Sequence, residues 1–188
     1  MLLWITDTPD DKYETSEVII RSPKQINAIF PANPTFVVID IRTPVLEVIS
    51  WASKRQQPTL WWLPVSDVPK AHCYVESAEC SSAEFIPLLS DIYHRNGIIN
   101  VEFAELESVI NSSCAAHVSY VLNKNGSLLH HQWWPLGYVI HRNLNASIDD
   151  FQYVTELAKT RFKIKLLTCL IIPDGGDDLI LMFRGESI

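Results

Sequence analysis

The chain has 188 residues, 47% of them hydrophobic and 20% charged, with a formal net charge of −7. Its 15 Lys and Arg residues are scattered, which argues against a nucleic-acid partner, because phosphate neutralisation needs grouped cations. No apolar run approaches the roughly 18 residues of a membrane span and the N-terminus lacks a basic leader, so a cytoplasmic protein is expected.

In chain order, Met1–Thr6 and Glu17–Arg21 ("EVIIR") have strand character. Pro23–Phe30 places Pro at a helix start with Ile26, Ile29 and Phe30 on one side, predicting a short helix. Phe36–Ile41 is a continuous apolar run, the pattern of a strand buried on both faces of a parallel sheet. Val45–Lys54 is helical, with Val45, Leu46, Val48, Ile49 and Ala52 inward. Thr59–Leu63 ("TLWWL") and Ala71–Val75 are further strands. Ser81 or Ser82 caps a helix to His94, with Glu84 in its first turn and "RNG" at its end. This alternation predicts an α/β domain with a parallel sheet over residues 1–96. Only about ten residues, "DTPDDKYETS", join the first two strands, and they carry Pro9 and no apolar period. A parallel crossover normally takes a dozen or more residues and a helix. The first helix is therefore expected to be absent, leaving one sheet face uncovered.

The second half changes rhythm. Val101–Ile110 is helical, and Ala116–Leu122 with Ser127–Trp134 flank the hairpin turn "NKNG". "PLGYVIHRNLN" reads as irregular. Ser147 caps a helix to about Thr160, with Asp149 and Asp150 in its first turn. Lys163–Pro173 and Leu179–Arg184 flank "DGGDD" as a second hairpin. The expectation is a small α+β domain on an antiparallel sheet over residues 97–188.

Few residue groups carry chemistry. Cys73, Cys80, Cys114 and Cys169 lack CxxC spacing and read as reduced thiols. His117, His130, His131 and His141 have no zinc-ligand spacing with Cys114, and His130 and His131 alternate across a strand. His72–Cys73 and Cys114 with His117 lack the glycine loop that would stabilise an oxyanion. Trp133 and Trp134 stand before Leu136, Tyr138 and Ile140, an aromatic and apolar segment of the kind that anchors interfaces.

"FVVIDIRTP" resembles the third strand of response-regulator receiver domains, an apolar strand ending in the phosphoacceptor Asp, then three residues and Pro, and the resemblance covers residues 1–96. The resemblance implies a receiver-like (flavodoxin-like) fold with Asp40 as phosphoacceptor, Asp7 as its metal partner and Ser66 near the phosphate. The chain departs from that pattern. Asp10 and Asp11 follow Pro9, so only Asp7 is in register, and Glu76 and Ser77 stand where the family has its Lys. A phosphoryl group of about −1.5 to −2 charge beside Asp7 and Glu76, without that Lys, is electrostatically poor.

"ESVINSSCAAHVSYVLNKNGSLLHH" resembles the opening helix and first hairpin of roadblock-type domains, and "LLTCLIIPDGGDDLILMF" their final strands, which implies dimerisation and scaffolding of small GTPases or signalling complexes. They are also similar to the C-terminal domain of tubulin-like GTPases, without a glycine-rich phosphate loop before it. The resulting expectation is a non-catalytic protein-protein interaction or scaffold module of a signalling or assembly system, without cofactor or metal. It would bind a protein partner or a second copy through the uncovered sheet face or the aromatic 130–141 segment. The rival is a working phosphoreceiver, with Asp40 phosphorylated and the second domain as output.

Overall fold

The computed structural model describes residues 1–26, 34–43, 45–62, 72–94, 103–122, 134–145 and 147–185. Among these residues nine strands form one sheet: β1 (Leu2–Thr6), β2 (Val18–Arg21), β3 (Phe36–Asp40), β4 (Thr59–Trp62), β5 (Cys73–Ala78), β6 (Ala115–Tyr120), β7 (Leu136–His141), β8 (Leu166–Ile171) and β9 (Leu179–Arg184). Their spatial order is β2-β1-β3-β4-β5-β6-β9-β7-β8. The first six run parallel to one another, β9 runs antiparallel between β6 and β7, and β8 lies parallel to β7 at the edge. The helices are α1 (Leu46–Ser53), α2 (Ser82–His94), α3 (Phe103–Ser112) and α4 (Ile148–Phe162). None of the described helices is long and apolar enough to cross a membrane.

The mostly parallel α/β architecture agrees with the sequence pattern. β1, β3 and β4 are buried along nearly their whole length because both faces are covered, which is why they read as unbroken apolar runs. Between β1 and β2 only a 3₁₀ turn, Asp11–Tyr13, stands in place of a crossover helix. Its Tyr13 ring packs against Trp4 at 6.1 Å and serves as local cover.

Among the described residues both faces of the parallel sheet are covered, in place of the expected bare face. On one face Leu2, Trp4, Val38, Leu60 and Val75 pack under Phe85, Ile86 and Leu89 of α2 and Leu106 and Ile110 of α3, in a core that continues through Val118, Tyr138, Leu181 and Phe183 of the second half. On the other, Leu3, Ile5, Val37, Ile39 and Trp61 are fully buried with Val48 and Ala52 of α1 and with Ile26. Trp61 also donates its Nε1–H to Nδ1 of His72 at 3.0 Å. A third cluster sets Val154 and Ala158 of α4 against Trp134, Val139, Ile180 and Met182.

The second half is corrected more deeply. The expected separate antiparallel sheet is replaced by strands that continue the first sheet through the β5–β6 pairing, with a register shift between Val75 and Ser77. The expected hairpin across "DGGDD" is absent: β8 and β9 do not pair. The reason is burial. Five of the six residues of β9 are buried, so it takes an interior position with a strand on each side, whereas β8 starts exposed and suits an edge. "PLGYVIH", expected to be irregular, contains β7. Gly137 lets Ile164 pack close to the strand, since a Cβ would lie 2.7 Å from its Cδ1 and push that side-chain end aside. The expected boundary near 96–100 and the strand Ser127–Trp134 fall largely outside the described residues.

Candidate functional site

Two groups of carboxylates mark the ends of the strands. The first follows from register. Thr6 pairs with Asp40 across β1 and β3, so the two strands release Asp7 and Asp40 side by side. This is where the strand order turns from β1 toward β2 on one side and β3 on the other, the position at which open α/β sheets hold ligands. Both carboxylates are engaged. Asp7 Oδ2 accepts the backbone N–H of Arg42 at 2.6 Å, and Asp40 Oδ2 accepts the hydroxyl of Ser82 at the start of α2. Burial pushes the Asp40 carboxyl up, the Ser82 bond opposes this, and the nearby charge of Asp7 adds to the rise. The pair therefore ties the end of β1 to the loop after β3, and the end of β3 to α2.

Two cations stand beside this pair: the charge of Arg42 acts on Asp40, and Lys24 lines a cavity of about 770 Å³ together with Asp7, Ser22 and Glu47. Glu76, expected at the end of the fifth strand, lies inside β5 because that strand runs on to Ala78, and it is paired with Arg184 of β9. Glu79, after the strand end, accepts from Ser119 Oγ at 2.6 Å and the Tyr120 N–H at 2.9 Å. The first glycine of the chain is Gly97, so no glycine-rich turn can open backbone N–H groups at the ends of β1 to β5. Among the described residues no three His, Cys, Asp or Glu side chains are grouped to hold a metal. Ser66, expected near the phosphate, lies outside the described residues, as does Trp133.

The remaining interface candidates are core residues. Trp134, Tyr138 and Ile140 are no more than 1% exposed, and Leu136 is half-buried against the main core. Trp134 lies tilted against His117 with ring centroids 5.8 Å apart, and Tyr138 meets Phe183 edge-on at 5.9 Å. The segment is apolar because it is a central strand.

The second carboxylate group lies where β7 ends and the 173–178 turn leads into β9. Arg142 donates from Nε to Asp174 at 2.9 Å and from Nη1 to Glu84 of α2 at 3.2 Å, clamping the two halves together. Burial would raise the Asp174 carboxyl, but the bonds from Arg142 prevail and hold it below the usual carboxylate range. Gly176 leaves room for that guanidinium, with which a Cβ would collide. Next to it His141, 2% exposed, donates from Nδ1 to Asp178 Oδ1 at 2.9 Å, and the same oxygen accepts the Arg142 N–H at 2.7 Å. His141, Asp178, Asp177, Asp150, Asn143 and Asn145 line a cavity of about 490 Å³ with Leu122, Leu144 and Tyr153. The sequence signal for this corner was "HRN" at a strand end opposite the acid-rich "DGGDD", legible only once β7 and β9 are known to be neighbours.

No protein-family model and no curated protein matches the chain. Solved structures do. The chain is similar to an empty FtsZ dimer from M. jannaschii, with a TM-score of 0.55 and 13% identity over 86% of this chain and 66% of that one. A W319Y mutant of the same FtsZ gives 0.54 and 14%, over 88% and 69%. CetZ2 from Haloferax volcanii, a GTPγS-bound protofilament, gives 0.50 and 11%, over 87% and 70%. The chain spans about two thirds of the length of these proteins. At such identities the likeness is one of fold, and it corrects the receiver and roadblock resemblances, because a single tubulin-like fold accounts for both halves. The β2-β1-β3-β4-β5 order misled because it is common to many doubly wound sheets, receivers included.

Proposed function

We propose that this chain is a non-catalytic assembly module that binds protein partners, copies of itself included. The observation that carries this reading is the strand-end crevice of the parallel half. It has no glycine before residue 97, and Asp7, Asp40 and Glu79 at the strand ends already hold backbone or hydroxyl donors of the fold, with Lys24 and Arg42 as the cations near the first two. A nucleotide phosphate placed there would find carboxylates already committed to the fold and no glycine-rich turn to cradle it. The similar structures were solved as a dimer and as a protofilament, and the reading transfers association, not nucleotide chemistry, to this chain.

The contact surface is neither the sheet face nor the aromatic strand. Six large hydrophobic side chains are markedly exposed among the described residues, and four of them, Leu122, Leu144, Ile148 and Tyr153, belong to the cavity rim beside His141 or to the first turns of α4 next to it. Grouped exposure of this kind marks association surfaces. The test is equilibrium dialysis of the whole chain against GTPγS with Mg²⁺, alongside phosphate release from GTP. The expected result is no saturable binding and no release above a protein-free control; saturable binding with turnover would sink the reading.

A further inference from the structure

The sheet has two edges, β2 and β8, and they are finished differently. β2 closes its own. Its register with β1 turns the backbone groups of Val18 and Ile20 outward, and the chain itself meets them. Thr15 accepts the Val18 N–H on Oγ1 and donates its own N–H to the Val18 carbonyl, each at 3.0 Å, and the Ile20 carbonyl takes Nη1 of Arg21. β8 has no such cover. Leu166 and Ile172 donate to Pro135 and His141 on the β7 side, so the even residues bond inward. Lys165, Leu167, Cys169 and Ile171 therefore turn N–H and C=O outward, and these groups have no partner among the described residues. Burial in β8 comes from the two faces, with Cys169 in the α4 cluster and Leu170 in the main core, while Leu166 is left 61% exposed. The strand, "LLTCLI", contains no charge, Pro or bulge, the usual devices that keep an edge from pairing.

We propose that the β8 edge pairs antiparallel with the β8 edge of a second copy of this chain, extending the sheet across a two-fold axis at Thr168. This rests on the assembly reading and names the strand that makes its contact. The flanks of β8 carry complementary charge: exposed Lys163 and Lys165 precede it, and exposed Asp174 and Asp177 follow it. An antiparallel copy sets each cationic end beside the other's anionic end, whereas a parallel one sets like beside like. Neither lysine has an ion pair among the described residues. The register follows from the ends. Outward residues pair only with outward residues, and pairing about Thr168 matches Lys165 with Ile171 of the second copy and Leu167 with its Cys169. The ladder stops where Lys163, in the left-handed region at φ 53°, faces Pro173, which has no N–H. Exposed Leu166 then lies across from Leu170 of the second copy and is covered. Leu144 packs beside Gly175, two positions past Pro173, so the exposed rim continues this edge.

The test uses the whole chain. Across the axis the two Thr168 positions form a non-hydrogen-bonded pair about 4.5 Å apart at Cα, within disulfide reach. Thr168→Cys is expected to give a covalent dimer with copper phenanthroline as oxidant. The parent chain and Leu166→Cys, whose two copies lie about 13 Å apart along the strands in this register, are not. Thr168→Lys opposes two cations at the axis and is expected to raise the dimer dissociation constant at least about tenfold in light scattering, with an unchanged circular dichroism spectrum. Lys163→Glu with Lys165→Glu is expected to raise it at least about threefold. A dimer that survives Thr168→Lys while Thr168→Cys stays uncross-linked would overturn the edge pairing and leave the assembly reading standing. Leu166→Cys cross-linking as readily as Thr168→Cys would overturn the axis at Thr168. A parent chain that stays monomeric at every concentration would overturn both.

Discussion

The two carboxylate groups of this fold sit at comparable places, the ends of strands that leave one sheet, yet they are put to different uses. At β1 and β3, Asp7 and Asp40 close inward: one holds a loop N–H, the other the first residue of α2. At β7 and β9, Asp174 takes Arg142 while Asp177, Asp178 and Asp150 keep oxygens toward a cavity. Acidic residues at a strand end therefore do not by themselves mark a site. What separates the two groups is whether the local chain has already claimed the acceptors.

Four substitutions would break or sharpen this contrast, in falling order of expected effect on stability. Arg142→Ala removes the clamp between the halves and leaves Asp174 and Glu84 without their cation. A side chain 11% exposed with two carboxylate partners should cost about 2–4 kcal/mol in urea unfolding. A loss below about 0.5 kcal/mol would mean that the clamp is ornamental. Ser82→Ala strips Asp40 of its hydroxyl donor and should cost about 1 kcal/mol.

Asp40→Asn should act in the opposite direction. The folded carboxyl is raised by burial, so the native state holds its proton to higher pH than the unfolded chain does. Stability from this group falls as pH climbs from the ordinary carboxylate value of about 3.9 through the raised one. The Asn variant should therefore melt higher than the parent at pH 7 and lose that advantage near pH 4. An Asn variant that melts lower at pH 7 and equally at pH 4 would show instead that Asp40 is a favourable anion. Leu144→Ser, at a 63% exposed position, should leave unfolding within about 0.5 kcal/mol of the parent and reduce self-association.

How far the sequence could be read differs between the same two regions. Strand runs such as "FVVID" and "TLWW" announced a buried parallel sheet, and the polar "DTPDDKYETS" announced that no helix follows β1, because both signals are local. The path of β9 was not local. "PDGGDD" has the composition of a hairpin turn, and only the competition of the buried β9 for two neighbours places it between β6 and β7. That misreading hid the second site, since His141 and Asp178 are 37 positions apart and meet only through this insertion. Trp134, Tyr138 and Ile140 were read as an interface for the same reason: an aromatic strand and an aromatic patch have the same composition, and burial alone distinguishes them.

The central claim is that this fold associates without nucleotide. The most direct measurement is mass by light scattering across a range of protein concentrations, with and without GTP and Mg²⁺, for the parent chain and Leu144→Ser. The account predicts that mass rises with concentration equally in both conditions and that the variant stays at about 21.4 kDa. Assembly that requires GTP, or a parent chain that remains at the monomer mass throughout, would contradict it.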